Sequence, residues 1–182
     1  MGFTSMVSLL DKIDEKININ IIHNSKDVYE SIPQYIKNHK NLNSINIHFF
    51  QNEKYIFPNL DNSHVSEATY FRLFIEDYID KSHDFLIYLD ADVVCIKNPI
   101  PYFNSKIQSM IDNDFTVAAM NDPGMPEIDE RSINLGIKSG RYFNAGVMII
   151  NYSKWIDQDI KTKSTQIIKE KKEKLILWDQ DV

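Results

Sequence analysis

Apolar and polar positions alternate along this chain in two different rhythms. Residues 4–15 (TSMVSLLDKIDE) place Met6, Val7, Leu9, Leu10 and Ile13 at helical spacing. Residues 17–22 (ININII) switch to strict alternation of β-branched residues, which predicts a strand. Ser25 is placed to cap a helix running to about Asn38, with Val28, Ile32, Tyr35 and Ile36 on one face. INIHFF (45–50) predicts the next strand, and Ser66 with Thr69 opens a helix over ATYFRLFIEDYI. FLIYL (85–89) is a short continuous apolar run, the mark of a strand buried on both faces. A helix is predicted over 102–112 and a strand over FTVAAM (115–120). A Gly- and Pro-containing loop then covers 121–140, followed by a long strand, YFNAGVMIIN (142–151). A helix over 153–174 ends in the charge run KEKKEK, and a short final strand covers Leu175–Trp178.

Helices that alternate with strands predict an α/β fold: a three-layer sandwich around a mostly parallel mixed sheet. In such sheets, ligands bind beyond the carboxyl ends of the strands. At 182 residues the length fits one domain or part of a larger one. Composition narrows the chemistry by exclusion. No glycine lies between Gly2 and Gly124, so a glycine-rich phosphate loop is excluded from the first two-thirds. A formal charge of −6 and three Arg argue against nucleic-acid binding through phosphate contacts. The single cysteine, Cys95, excludes a disulfide framework and a cysteine-based zinc site. The N-terminus lacks the basic and apolar regions of a signal peptide, and no stretch reaches the roughly 18 apolar residues of a membrane span, so the expected location is cytoplasmic.

Asp-x-Asp triplets occur four times, at 90–92, 112–114, 157–159 and 179–181. With 17 Asp, about one or two would arise by chance, so the triplet itself says little. Position selects among them. Asp112-Asn113-Asp114 sits between a helix and a strand, where a solvated turn is expected, and Asp157-Gln158-Asp159 falls on a helical surface. Asp90-Ala91-Asp92 ends a buried strand, and Asp179-Gln180-Asp181 follows the apolar run LILW. In an extended chain, carboxylates two apart share a face and can flank one hard divalent cation, which in turn grips a diphosphate.

HVSEATYFRLFI, FLIYLDADVV, YFNAGVMIIN and LWDQDV follow one another in that order. Together they resemble the successive motifs of family 8 glycosyltransferases, retaining enzymes of GT-A fold that include bacterial lipopolysaccharide glucosyl- and galactosyltransferases. The resemblance covers roughly residues 4–182. It implies a UDP-hexose donor, Mn²⁺ or Mg²⁺, a saccharide or lipopolysaccharide-core acceptor, and transfer with retention. Residue by residue, it implies metal-binding carboxylates at Asp90 and Asp92 and a donor contact at Ala91. Arg72 would reach the donor sugar or phosphate, and Asn144 and Ala145 would line the sugar. Asp179 and Gln180 are implied as the catalytic pair beneath the sugar ring, and His64 and Thr69 as positions near the acceptor or nucleoside.

Family members begin with a strand ahead of the first helix and continue past the DQD motif to a metal-binding His. By that pattern residues 1–182 form a single partial domain without the first strand or the C-terminal part, expected to bind donor weakly and to transfer sugar poorly. All five His lie at or before His83. Two rivals follow. One is a non-catalytic remnant of a transferase. The other is a haloacid-dehalogenase-type phosphatase, in which Asp90 would be a nucleophile; it requires a later Gly-Asp-x-x-x-Asp motif that the sequence lacks. Cys95 reads as a buried, inert thiol. His23, His39 and His48 read as structural, as do Tyr142, Trp155 and Trp178, although these three rings could stack on sugars. Lys169–Lys174 reads as a solvated helix face, compatible with peripheral contact at the inner face of the cell membrane.

Overall fold

A computed structural model of the chain describes residues 2–51, 57–58, 66–122, 130–136, 142–175 and 177–182. Helix α1 (Gly2–Lys12) precedes strand β1 (Ile17–His23). Helices α2 (Val28–Ser31) and α3 (Gln34–Lys37) lead to β2 (Leu42–Phe49). The single helix expected from Ser25 to Asn38 is therefore two short ones. Pro33 lacks an N–H and holds its predecessor extended, and Ile32 accordingly has ψ 123°. The β1 and β2 strands pair in parallel. Their alternation sorts the faces as expected: Ile17, Ile19, Ile21, Ile45 and Ile47 pack on Leu10, Ile13, Ile32 and Ile36. The opposite face carries a cross-strand ladder, in which Asn43 and Ser44 donate to Asn18 Oδ1 and Asn46 donates to Asn20 Oδ1.

The second sheet has the order β3-β5-β4, built from β3 (Phe85–Leu89), β5 (Phe143–Asn151) and β4 (Val117–Asn121). Its central strand, β5, is antiparallel to both neighbours. The α/β class is as expected, with parallel pairing among the described strands confined to β1–β2. Strand β3 is half-buried rather than closed on both faces; Ile87 keeps 38% of its surface, and among the described strands β3 pairs only with β5. Helix α4 (Ile100–Asp112) packs Phe103 and Met110 on Ile149 of the sheet. Within the expected loop 121–140 the described residues include a short helix, α5 (Glu130–Leu135). The helix expected over 153–174 is divided into α6 (Tyr152–Asp157) and α7 (Ile160–Lys171) at Asp159, whose φ of 52° interrupts the helical path.

Between the two sheets the expected helix takes a 3₁₀ path, Glu67–Asp77, broken by a kink at Phe74 (φ −111°, ψ 16°). Six consecutive residues, Tyr70 to Ile75, are buried there, so no face is left for solvent. Phe50 stacks on Phe71 at 4.0 Å and Tyr70 on Phe57 at 4.6 Å. Three residues per turn eclipse Thr69 and Arg72 on one line, and both look into the same cleft. Among the described residues, no helix is long and apolar enough to cross a membrane. Two lysines of the charge run are engaged: Lys171 and Lys174 donate to the carbonyls of Leu135 and Asn134 at the end of α5.

Candidate active site

The antiparallel run of β5 creates the site. Its beginning lies beside the ends of both β3 and β4. Asp90 N donates to Gly146 O (2.8 Å) and Asp122 N to Tyr142 O (3.0 Å). On β4, Ala119 and Met120 are adjacent, yet they pair with Met148 and Asn144 of β5. The extra β5 residues, 145–147, bulge out of register, and bulges of this kind re-aim a strand at its rim. The result is an open cleft of about 280 Å³, lined by Thr69, Arg72, Asp90, Asp122, Asn144, Ala145, Gly146, Leu177, Trp178, Asp179 and Gln180.

Arg72 is its structural centre. Only 6% exposed, it is a buried residue and not the surface residue a helical arginine usually is. Its Nη2 donates to Asp90 Oδ1 (2.7 Å), its Nη1 to the Ala145 carbonyl and its Nε to the Thr69 carbonyl (3.2 Å). Its guanidinium carbon lies 4.3 Å from the centre of the Tyr88 ring. Nε also stands 2.8 Å from Asp179 Oδ2, but its N–H points to Thr69. Asp179 Oδ2 is thus paired in charge and buried without a hydrogen bond.

That environment shows in the acidity of the groups. Burial pushes the Asp179 carboxyl up to about 6, with Arg72 opposing and the nearby Asp90 charge adding to the rise. Burial likewise raises the Tyr88 phenol, which stays protonated and donates to Asp90 Oδ1 (2.6 Å). Gln180 is held at both ends of its amide: Nε2 donates to Asp122 Oδ2 (3.3 Å), and Oε1 accepts from Ala145 N (3.3 Å). Asp181 turns away from the cleft. It accepts from the Tyr142 hydroxyl and from Leu177 N (2.8 Å), closing the 3₁₀ turn Trp178–Asp181; the strand expected over Leu175–Trp178 does not form at its described residues, Leu175, Leu177 and Trp178.

Of the residues singled out in the sequence, Thr69, Arg72, Asp90, Asn144, Ala145, Asp179 and Gln180 converge on this cleft. Ala91 and Asp92 are exposed beside it, on a turn closed by Val93 N donating to Asp90 O (3.2 Å). The extended geometry expected for Asp90 and Asp92 ends at Asp90, because the chain leaves the sheet there. His64 lies outside the described residues. Cys95 is half-buried in the irregular stretch after this turn and not in a strand, and burial raises its thiol. Tyr142 and Trp155 are buried packing residues. Asp122, Tyr88 and the Asp181–Tyr142 pair escaped the sequence reading. Asp122 had a legible signal, a carboxylate just after an apolar strand, the same signal that selected Asp90. The others depend on contacts between segments distant in sequence.

Comparison with known proteins shows the family and the fold. The profile of Glycosyl transferase family 8 matches residues 2–182. The lipopolysaccharide 1,3-galactosyltransferase of Salmonella typhimurium is 36% identical over 124 residues, covering 63% of this chain and 34% of that protein. General stress protein A of Bacillus subtilis is 34% identical over 126 residues, covering 67% of this chain and 41% of that protein. The chain thus spans less than half the length of these relatives. Among solved structures, the galactosyltransferase LgtC in complex with donor and acceptor sugar analogs superposes with a TM-score of 0.76 at 23% identity, covering 99% of this chain and 63% of that one. That likeness establishes a shared fold, the GT-A arrangement.

Proposed function

The chain belongs to glycosyl transferase family 8, and from that premise we propose that its cleft is part of a metal-dependent, retaining hexosyltransferase site. The donor is a UDP-hexose and the acceptor a saccharide, with lipopolysaccharide core the class suggested by the named Salmonella relative. One observation carries the reading: three carboxylates, Asp90, Asp122 and Asp179, line the cleft against one guanidinium, Arg72. Such a cleft repels a nucleotide diphosphate unless a cation stands between them.

The residues fit a hard divalent cation. Asp90 and Asp92 offer carboxylate oxygens, and two carboxylates with substrate phosphates are a common Mg²⁺ arrangement. Among the described residues no cluster of three or more His, Cys, Asp or Glu side chains is placed to hold a metal ion, this cleft included, so phosphate oxygens and water would complete the coordination of an ion there. A Cβ on Gly146 would stand 3.0 Å from Asp90 Oδ2, so the glycine keeps open the space in front of that oxygen. When bound, the cation would neutralise charge on the leaving diphosphate.

The protein groups divide the remaining work. Arg72 holds Asp90, Asp179 and the Ala145 carbonyl in one arrangement. Asp179 lines the cleft beside Arg72, with its Oδ2 buried against the guanidinium. Gln180 presents a neutral amide, a poor nucleophile, fixed by Asp122 and Ala145. Asp90 Oδ1 is engaged by Arg72 and Tyr88, which disfavours the nucleophilic aspartate of a phosphatase.

Saturation-transfer NMR with UDP-glucose and UDP-galactose tests the reading. We expect transfer to uridine and hexose protons with Mg²⁺ present, abolished by EDTA. Signals that are absent, or that are equal in EDTA, would overturn it.

A further inference from the structure

Asp90 carries two oxygens, and the structure treats them unequally. Oδ1 accepts both hydrogen bonds that the described residues make to this carboxylate, from Arg72 Nη2 at 2.7 Å and from the Tyr88 hydroxyl at 2.6 Å. Oδ2 faces the space that Gly146 keeps open. Tyr88 and Asp90 are two residues apart, and Asp90 N continues the β3–β5 ladder by donating to Gly146 O. The two side chains therefore leave the sheet on the same face, which is what brings the phenol to the carboxylate. The Tyr88 ring also packs under Arg72, at 4.3 Å from its guanidinium carbon.

A neutral donor has a specific advantage here. Arg72 is already shared among Asp90, Asp179 and two carbonyls. A second cationic donor would orient Asp90 equally well, but it would cancel the negative charge that attracts a metal ion. A phenol fixes the carboxylate and leaves its charge in place. Groups in that position, bonded to a metal ligand and not to the metal, orient the ligand and tune its affinity.

Resting on the hexosyltransferase reading, we infer that Tyr88 is a positioning residue for cation binding. Its hydroxyl ties down Oδ1 of Asp90, so that Oδ2 is the oxygen presented to the divalent ion.

The test is Mn²⁺ binding, followed by electron paramagnetic resonance of free Mn²⁺ in the presence of UDP, without any turnover. Tyr88→Phe keeps the ring against Arg72 and deletes the hydroxyl. Its Mn²⁺ dissociation constant should rise about tenfold, with the circular dichroism spectrum and melting temperature close to those of the parent. A purely structural role would move the melting temperature and leave the affinity of the folded protein alone. A rise of less than threefold overturns the inference. Gly146→Ala is a second probe that keeps Tyr88 intact. Its methyl would crowd Oδ2, so it too should weaken Mn²⁺ binding threefold or more, and unchanged affinity would contradict the assignment of Oδ2. If the parent chain with UDP binds no Mn²⁺ at all, the hexosyltransferase reading itself fails, and the inference falls with it.

Discussion

Asp90-Ala91-Asp92 and Asp179-Gln180-Asp181 are the same triplet pattern in opposite settings. In the first, Asp90 is half-buried and anchored through one oxygen, and Asp92 stands in solvent. In the second, both outer aspartates are buried, at 8% exposure each, and the middle residue faces the cleft. Asp181 spends its oxygens on Tyr142 and on the backbone, and Asp179 sits dry against Arg72. Under the proposed function the first triplet would meet a cation, whereas the second shapes a 3₁₀ turn. Arg72 links them, and among the described residues it is the only basic side chain lining the cleft.

The largest effect should come from removing that link. Arg72→Met leaves the buried charges of Asp90 and Asp179 uncompensated, and should destabilise the chain by about 3–5 kcal/mol in urea unfolding. A loss below about 1 kcal/mol would show that the two triplets are not held together through Arg72. Next, Asp181→Ala removes the acceptor of the Tyr142 hydroxyl and of the Leu177 N–H, and about 1–3 kcal/mol should be lost. Its stability effect should exceed that of Asp92→Ala, since Asp92 is solvent-exposed.

Acid sharpens the contrast. Asp179 has a folded-state value of about 6, above its ordinary 3.8. The folded chain therefore holds this proton more tightly than the unfolded chain. Its contribution to stability is complete below about pH 3.8 and is lost as pH rises through about 6. The stability difference between parent and Asp179→Asn should accordingly vary between those pH values and be flat above them. A difference independent of pH over that window would contradict the burial of a charged Asp179.

The smallest effect belongs to a third triplet. Asp114, at the end of Asp112-Asn113-Asp114, has φ 58° and an exposed ion pair with Lys154. Asn tolerates that backbone conformation, so Asp114→Asn should change stability by less than about 1 kcal/mol.

Much of this was legible in the sequence because it depends on local order. The alternation of ININII, the apolar run FLIYL and the aspartate after it fixed two strands and one pole of the site. Other features depend on partners far along the chain. LWDQD reads as a strand end by its apolar run, but Asp181 meets Tyr142, 39 residues earlier, and folds the segment into a 3₁₀ turn. The segment around Arg72 reads as a helix, but it takes a 3₁₀ path in which six consecutive residues, Arg72 among them, are buried. A mostly parallel mixed sheet was expected because helices separate most of the strands. The antiparallel entry of β5, which assembles the cleft, leaves no mark on its own residues.

The central claim is that Asp90 holds a cation for a diphosphate while Asp179 does not. Calorimetric titration of UDP, with Mn²⁺ and with EDTA, into the parent chain, Asp90→Asn and Asp179→Asn tests it most directly. The account predicts Mn²⁺-dependent UDP binding by the parent and by Asp179→Asn, and a loss of at least tenfold in Asp90→Asn. Equal UDP affinity in the parent and Asp90→Asn, or binding that EDTA leaves untouched, would contradict it.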